Sequence, residues 1–195
     1  NLFESSFKRL SSLFPKISNL HLATYLHDQY VYDRGVSVQN FLKEAQKINE
    51  HVDESLQALA LRTLAKTYWV KDEVFVAHQM ISPVQKVIDE QLYSSIGQKY
   101  EKSFINRPSF DFLGKKIEFD ISPTPLMLKT MRHLRILRPL MPMWHKRERE
   151  IKKEIRTNLA SVYEMEESKQ YEAFKRLENI KGYREVLYKK AELKL

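Results

Sequence analysis

The chain contains no cysteine. Disulfides, thiolate nucleophiles, cysteine-ligated zinc and iron–sulfur clusters therefore have no ligands within it. Glycine is nearly as scarce, at 4 in 195 residues. So few glycines leave few places where the backbone can turn tightly or approach a phosphate. That argues against a glycine-rich dinucleotide or P-loop fold, and against a barrel of many hairpins. No Gly-x-Ser-x-Gly elbow exists to present a serine nucleophile. Long apolar runs are missing as well. One of the longest uncharged stretches, Val74 to Gln85, includes His78, Gln79 and Ser82, whereas a membrane span needs roughly 20 apolar residues. The opening residues, Asn1-Leu2-Phe3-Glu4-Ser5-Ser6, lack the basic start and apolar core of a signal peptide. They also lack an initiator methionine, and the expectation is a chain cut from something longer, located in the cytoplasm.

What is present is a composition able to fold. Hydrophobic residues make up 43% and charged residues 30%, so a packed core can form and wholesale disorder is disfavoured. The apolar residues recur at helical spacing over most of the length. Leu2, Phe3, Phe7, Leu10 and Leu13 form a first stripe closed by Pro15. A second helix, opened by Ser18 or Asn19, carries Leu22, Tyr25, Leu26 and Tyr30 and stops near Gly35. Ser37 opens a third, with Phe41, Leu42, Ala45 and Ile48 on one face. The longest candidate runs from Asp53 to Met80, and Ser82-Pro83 starts the next, with Val84, Val87, Ile88, Leu92 and Ile96. Phe110, Phe112, Ile117, Phe119 and Ile121 then alternate with polar residues around Gly114-Lys115, the period of a small β-hairpin near residues 110–121. Helical spacing returns at Pro125, ends at Pro139 and Pro142, and resumes with Ile151, Ile155, Leu159, Val162 and Met165, followed by Tyr171, Phe174 and Leu177. Gly182 sets off a terminal segment with Val186 and Leu187. The expected fold is mostly α, a helical bundle with one small hairpin, in a single domain over 1–195.

Catalytic constellations are sparse. The six histidines, at 21, 27, 51, 78, 133 and 145, never stand three or four apart, so no helical metal-binding pair forms. His145 and Glu148 can share a helix face, and Glu118 and Asp120 can share one side of a strand, but solvated side chains are the ordinary reading of both. No catalytic, cofactor-binding or metal-binding residue is assigned. Tyr25, Tyr30, Tyr32, Tyr68, Trp69 and Phe75 read as core or helix–helix contacts.

Charge is distributed unevenly. Residues 1–131 hold 16 basic and 15 acidic residues, whereas 132–195 hold 17 and 10. Arg132, Arg135 and Arg138 recur every third residue, followed by Lys146, Arg147, Arg149, Lys152, Lys153 and Arg156. Such a stretch suits phosphates or an acidic protein surface. It also suits a solvated face paired internally, because Glu148, Glu150 and Glu154 stand among the bases. A second charged feature, Lys71-Asp72-Glu73, interrupts an apolar stretch and has to face water or pair across an interface. Lys71, Asp72, Glu73, Arg132, Arg135, Arg138, Arg149 and Lys153 are the candidate interaction residues. A stand-alone basic module binding nucleic acid or an acidic protein is the alternative reading; only Trp144 stands near the bases to stack on a nucleobase.

Four segments together resemble a known region. Lys71-Asp72-Glu73-Val74-Phe75-Val76-Ala77 is similar to the Lys-Asp-Glu-x-x-Val-Ala segment in the C-terminal helical domain of indolepyruvate ferredoxin oxidoreductases, a domain of uncharacterised role. Phe110-x-Phe112-x-Gly114-x-x-Ile117-x-Phe119-x-Ile121-Ser122-Pro123 resembles that domain's hairpin and its proline-rich exit. Tyr25 and Tyr30 match an early Tyr-Gln-x-x-x-Tyr helix, with Leu26 in place of the glutamine, and Ile180-Lys181-Gly182-Tyr183 resembles a near-terminal Ile-Arg-Gly-Tyr motif. The family often has histidine where Asp120 stands and Gly-His where Arg184-Glu185 stand. The resemblance covers about residues 20–195 and implies a non-catalytic structural or interaction domain, on a C-terminal fragment or a separate beta subunit. The parent enzymes oxidatively decarboxylate aryl 2-oxoacids to acyl-coenzyme A. Thiamine diphosphate, coenzyme A and iron–sulfur clusters are implied for that assembly and none for this chain. The partners implied are other domains or subunits of the oxidoreductase, with ferredoxin a candidate for the basic face, and neither membrane nor nucleic acid.

Overall fold

The structure, a computed structural model, describes residues 2–95, 109–112, 115–118, 122–140, 142–181 and 185–192, with the backbone alone for 109–112, 115–118 and 185. The described part is mostly helical. Helix α1 (Leu2–Leu13) buries Ser6 and Leu10. Helix α2 (Asn19–Asp33) ends through two left-handed residues, Arg34 (φ 65°) and Gly35 (φ 85°). A Cβ at Gly35 would lie 2.5 Å from Cε1 of Tyr30, so this turn requires glycine for space as well as for φ. The Asp33 carboxylate accepts the N–H groups of Gly35 and Ser37 at 2.9 and 3.0 Å, fixing the path into α3 (Val38–His51). All four of the residues expected on the inner face of α3, Phe41, Leu42, Ala45 and Ile48, are buried.

The long helix expected from Asp53 to Met80 is two helices. Asp53 caps α4 (Glu54–Ala65) by accepting the Ser55 N–H at 2.8 Å, and α5 (Glu73–Met80) starts afresh. The break follows from local hydrogen bonding. The Thr67 hydroxyl and N–H both go to the Leu64 carbonyl, at 2.7 and 2.9 Å, and Tyr68 N–H goes to Ala65, so the ladder tightens and stops. Asp72 then supplies a new N-cap, accepting the Phe75 N–H at 2.7 Å.

The chain gathers into two compact units, residues 1–71 with 140–195, and residues 72–139, where the sequence suggests a single domain. The first unit holds α1–α4 with α8 (Lys146–Val162), α9 (Glu167–Glu178) and α10 (Glu185–Glu192). Its centre is α4, which packs against α2, α3, α8 and α9. Ala60, Leu61, Thr63, Leu64 and Ala65 are all buried, because small residues let neighbouring helices approach on several sides. Ile151, Ile155, Leu159 and Val162 are buried along α8 as their spacing suggests, with Phe174 and Leu177 from α9. Met165 and Tyr171 remain exposed.

The second unit contains α5, α6 (Pro83–Ser94), the strands β1 (Ser109–Phe112) and β2 (Lys115–Glu118), and α7 (Pro125–His133). Helix α5 packs on α7. Helix α6 is capped by Ser82, whose hydroxyl accepts the Gln85 N–H at 3.1 Å, with Pro83 in the first turn. Its apolar residues stay out: none is buried, and Val84, Val87, Ile88 and Leu92 are all exposed. The backbone at β1 and β2 runs antiparallel, with Phe110 opposite Ile117. The wider hairpin expected over 110–121 is not described as a whole, since 113–114 and 119–121 lie outside the described residues, as do Ile96 and Gly182. Beyond His133 the helix expected through Leu137 tightens into a 3-10 helix, Leu134–Leu140. Pro139 has no N–H for a bond to residue 135 and restricts Arg138 before it.

Candidate functional site

The strongest polar arrangement in the second unit joins Asp72 to Arg138, 66 residues apart. Asp72 is 2% exposed. Its Oδ2 accepts Nε of Arg138 at 2.6 Å, and its Oδ1 accepts Nη2 of Arg138 and the Phe75 N–H, both at 2.7 Å. The carboxylate therefore closes a two-point guanidinium pair and caps a helix at once. Two-point pairs of this kind are strong and geometrically specific, and the positive end of the α5 dipole favours the same charge. Asp72, the first of the two acids in the Lys71-Asp72-Glu73 segment, is thus committed to structure. Glu73 sits half-buried in the first turn of α5, and Lys71 is exposed in the other unit.

The basic stripe divides differently from its appearance in sequence. Arg132 ends α7, with its Nε 3.4 Å from Nε2 of His133. Arg135 and Arg138 follow on the 3-10 helix, where a spacing of three puts them on one face. All three arginines are only partly exposed. Arg149 and Lys153 stand four apart on α8 in the first unit. Several of the bases there have internal partners. Arg149 donates to the Trp144 and Pro142 carbonyls. The Arg147 guanidinium lies 4.2 Å from the ring centre of Tyr188 and pairs with Glu192 at 2.5 Å. Arg156 covers Tyr68 at 4.4 Å. Lys153 is exposed to water.

His145 and Glu148 do meet, as their spacing allows. Nδ1 of His145 lies 2.9 Å from Oε1 of Glu148, with the two side chains 4% and 5% exposed. His145 takes a left-handed conformation (φ 51°, ψ 34°), unusual for a residue with a side chain, at the position before α8. Burial pushes the Glu148 carboxyl up. Hydrogen bonds from His145, from its own backbone N–H and from the Tyr188 hydroxyl, with the imidazole's charge, outweigh that and hold it below the usual carboxylate range. Tyr188, 40 residues on in α10, is invisible to any local pattern. The imidazole–carboxylate pair is shielded from water, and the Tyr188 hydroxyl ties it to α10. Among the described residues no three His, Cys, Asp or Glu side chains gather as a metal site. Asp120 lies outside the described residues, so its pairing with Glu118 is not described.

Of the residues that carry the family resemblance, Tyr25 and Tyr30 lie on α2 and Ile180 is buried just after α9. The arrangement is mostly helical, and its buried carboxylates Asp72 and Glu148 are paired within the chain, with Arg138 and His145. No protein-family model, curated protein or solved structure matches the chain.

Two outcomes follow. Replacing Arg138 by Met leaves the Asp72 charge buried without its partner, at a cost of about 3–5 kcal/mol in urea unfolding; Asp72→Asn/Arg138→Met keeps an amide cap and recovers most of the loss. For Glu148 the folded pKa is lowered, so its contribution is present above the ordinary value of 4.5 and is lost as pH falls through the folded value. The stability advantage of the native chain over Glu148→Gln is therefore full at pH 7 and shrinks as pH drops below about 4.5, measured by thermal melts across pH.

Proposed function

We propose that the chain is a non-catalytic interaction domain of a thiamine-diphosphate-dependent 2-oxoacid:ferredoxin oxidoreductase, an enzyme that converts an aryl 2-oxoacid such as indolepyruvate to its acyl-coenzyme A. The observation that carries the interaction role is the apolar row of α6. Val84, Val87, Ile88 and Leu92 share one side of that helix and are 66%, 51%, 49% and 56% exposed. A short helix draws its stability from an apolar face packed on something else, and a contiguous exposed apolar patch marks a surface meant to be covered. The oxidoreductase identity is supported by the four motif segments. Asp72 of the Lys-Asp-Glu segment also serves as a clamp inside the second unit, which is a role in shape. The chain has no cysteine for an iron–sulfur cluster. The clusters, thiamine diphosphate and coenzyme A would therefore be held by other domains or subunits, in a cytoplasmic assembly. Arg132 and Arg135, on the same unit as α6, would face acidic ferredoxin.

The test is made on the assembled enzyme. Val87→Asp/Ile88→Asp is expected to weaken co-purification of the chain with the thiamine-diphosphate subunit at least about tenfold, the effect of about 1.4 kcal/mol, while the helical circular dichroism of the chain is unchanged. Unchanged assembly in that variant, or an adjoining reading frame that encodes no 2-oxoacid oxidoreductase domain, would overturn the proposal.

A further inference from the structure

The stretch from Ser122 to Pro139, all in the second unit, holds four bases and no acid. Asp72 matches one of them, Arg138. Lys129 and Arg132, three apart on α7, have no acidic partner among the described residues. Like charges at that spacing repel. The same stretch exposes large apolar side chains. Leu126 and Ile136 are 73% and 60% exposed, and Met127, Leu134 and Leu137 are exposed too. Leu134 and Leu137 share one face of the 3-10 helix and Ile136 lies on another, so two of its three faces show carbon to water. Leu128 is the buried residue of α7, and α5 packs on that helix. The exposed row is therefore surplus to the unit's own core. Its frame is nonetheless fixed. Arg138 ties the 3-10 helix to the start of α5 through Asp72, so a partner has less disorder to remove on binding.

Charge and apolar area together select the partner. Bases without an acid among them repel a basic surface and attract an acidic one. A helix lying on lipid separates an apolar face from a charged one. Here the two kinds interleave: Leu126, Lys129, Thr130 and His133 are all exposed along α7, and Leu134, Arg135, Ile136, Leu137 and Arg138 follow one another on the 3-10 helix. Apolar side chains mixed with arginine are the composition of a protein interface. We infer that Leu126, Lys129, Arg132, Leu134, Ile136 and Leu137 dock an acidic carrier protein. The bases steer its approach and the apolar side chains hold it. The inference rests on the oxidoreductase reading above, in which that protein is ferredoxin.

The test uses the assembled enzyme with two electron acceptors: oxidised ferredoxin, which has to dock, and methyl viologen, a small dication that does not. Ile136→Ser/Leu137→Ser is expected to raise the ferredoxin KM at least about tenfold at low and at physiological salt alike. Lys129→Glu/Arg132→Glu is expected to raise it about tenfold at low salt and much less at high salt, where screening removes the steering. Both changes are expected with ferredoxin alone, because damage to the domain would show with either acceptor. A ferredoxin KM that is unchanged in both variants, or that moves only in step with the viologen rate, overturns the inference and leaves the oxidoreductase reading standing. Failure of the native chain to assemble with the thiamine-diphosphate subunit overturns that reading itself. Pelleting of the native chain with phosphatidylserine vesicles at physiological salt, abolished by the same substitutions, overturns the inference in favour of a lipid surface.

Discussion

A carboxylate removed from water has to be matched at every oxygen, and Asp72 is matched by a helix end and a guanidinium together. Its position follows from that requirement. The residue must precede a helix, so that the Phe75 N–H points at it, and Arg138 must return across 66 residues to reach it at 2.6 and 2.7 Å. A buried pair of this kind does not by itself make a fold more stable than apolar packing would. What it does is penalise alternatives: any register that separates α5 from the 3-10 helix leaves a charge buried alone. In a unit where α6 buries nothing, such a constraint on shape counts for more than it would in the first unit.

The first unit is held by different means. A continuous apolar core runs from Leu10 and Phe14 through Phe41, Leu61 and Leu64 to Leu159 and Phe174. Polar groups there act at the margins, with Asp33 fixing the α2–α3 turn and Glu148 gathering His145 and Tyr188. Arginines that look available in a charge count are engaged in detail: Arg147 on Tyr188 and Glu192, Arg149 on two carbonyls, Arg156 on Tyr68. Net charge in sequence therefore overstates the free positive surface. It also conceals that Lys152 is partly buried beside a small cavity on α8.

Sequence periodicity captured what depends on one helix alone. The α3 face, the α8 stripe and the Ser82-Pro83 start were all legible, because each rests on spacing or on a local cap. The break between α4 and α5 was not, since apolar residues continue through Tyr68-Trp69-Val70 and only the competing bonds of Thr67 and Asp72 end one helix and begin the next. The exposure of the α6 row was equally hidden: an amphipathic stripe reports that a face wants covering and says nothing of whether this chain covers it. Asp72–Arg138 and Glu148–Tyr188 are long-range pairings, which one sequence by itself does not encode in any spacing. The His145–Glu148 contact was legible only as a permitted spacing, and its burial came from α10.

On the reading we propose, the chain offers contact surface and shape to an oxidoreductase whose reactive groups reside elsewhere. The most direct measurement is carbon dioxide release from a carboxyl-labelled aryl 2-oxoacid, supplied with thiamine diphosphate, magnesium, coenzyme A and oxidised ferredoxin. The account predicts none from the purified 195-residue chain, and release once the thiamine-diphosphate and iron–sulfur subunits are added. Sustained release by the chain alone would contradict it.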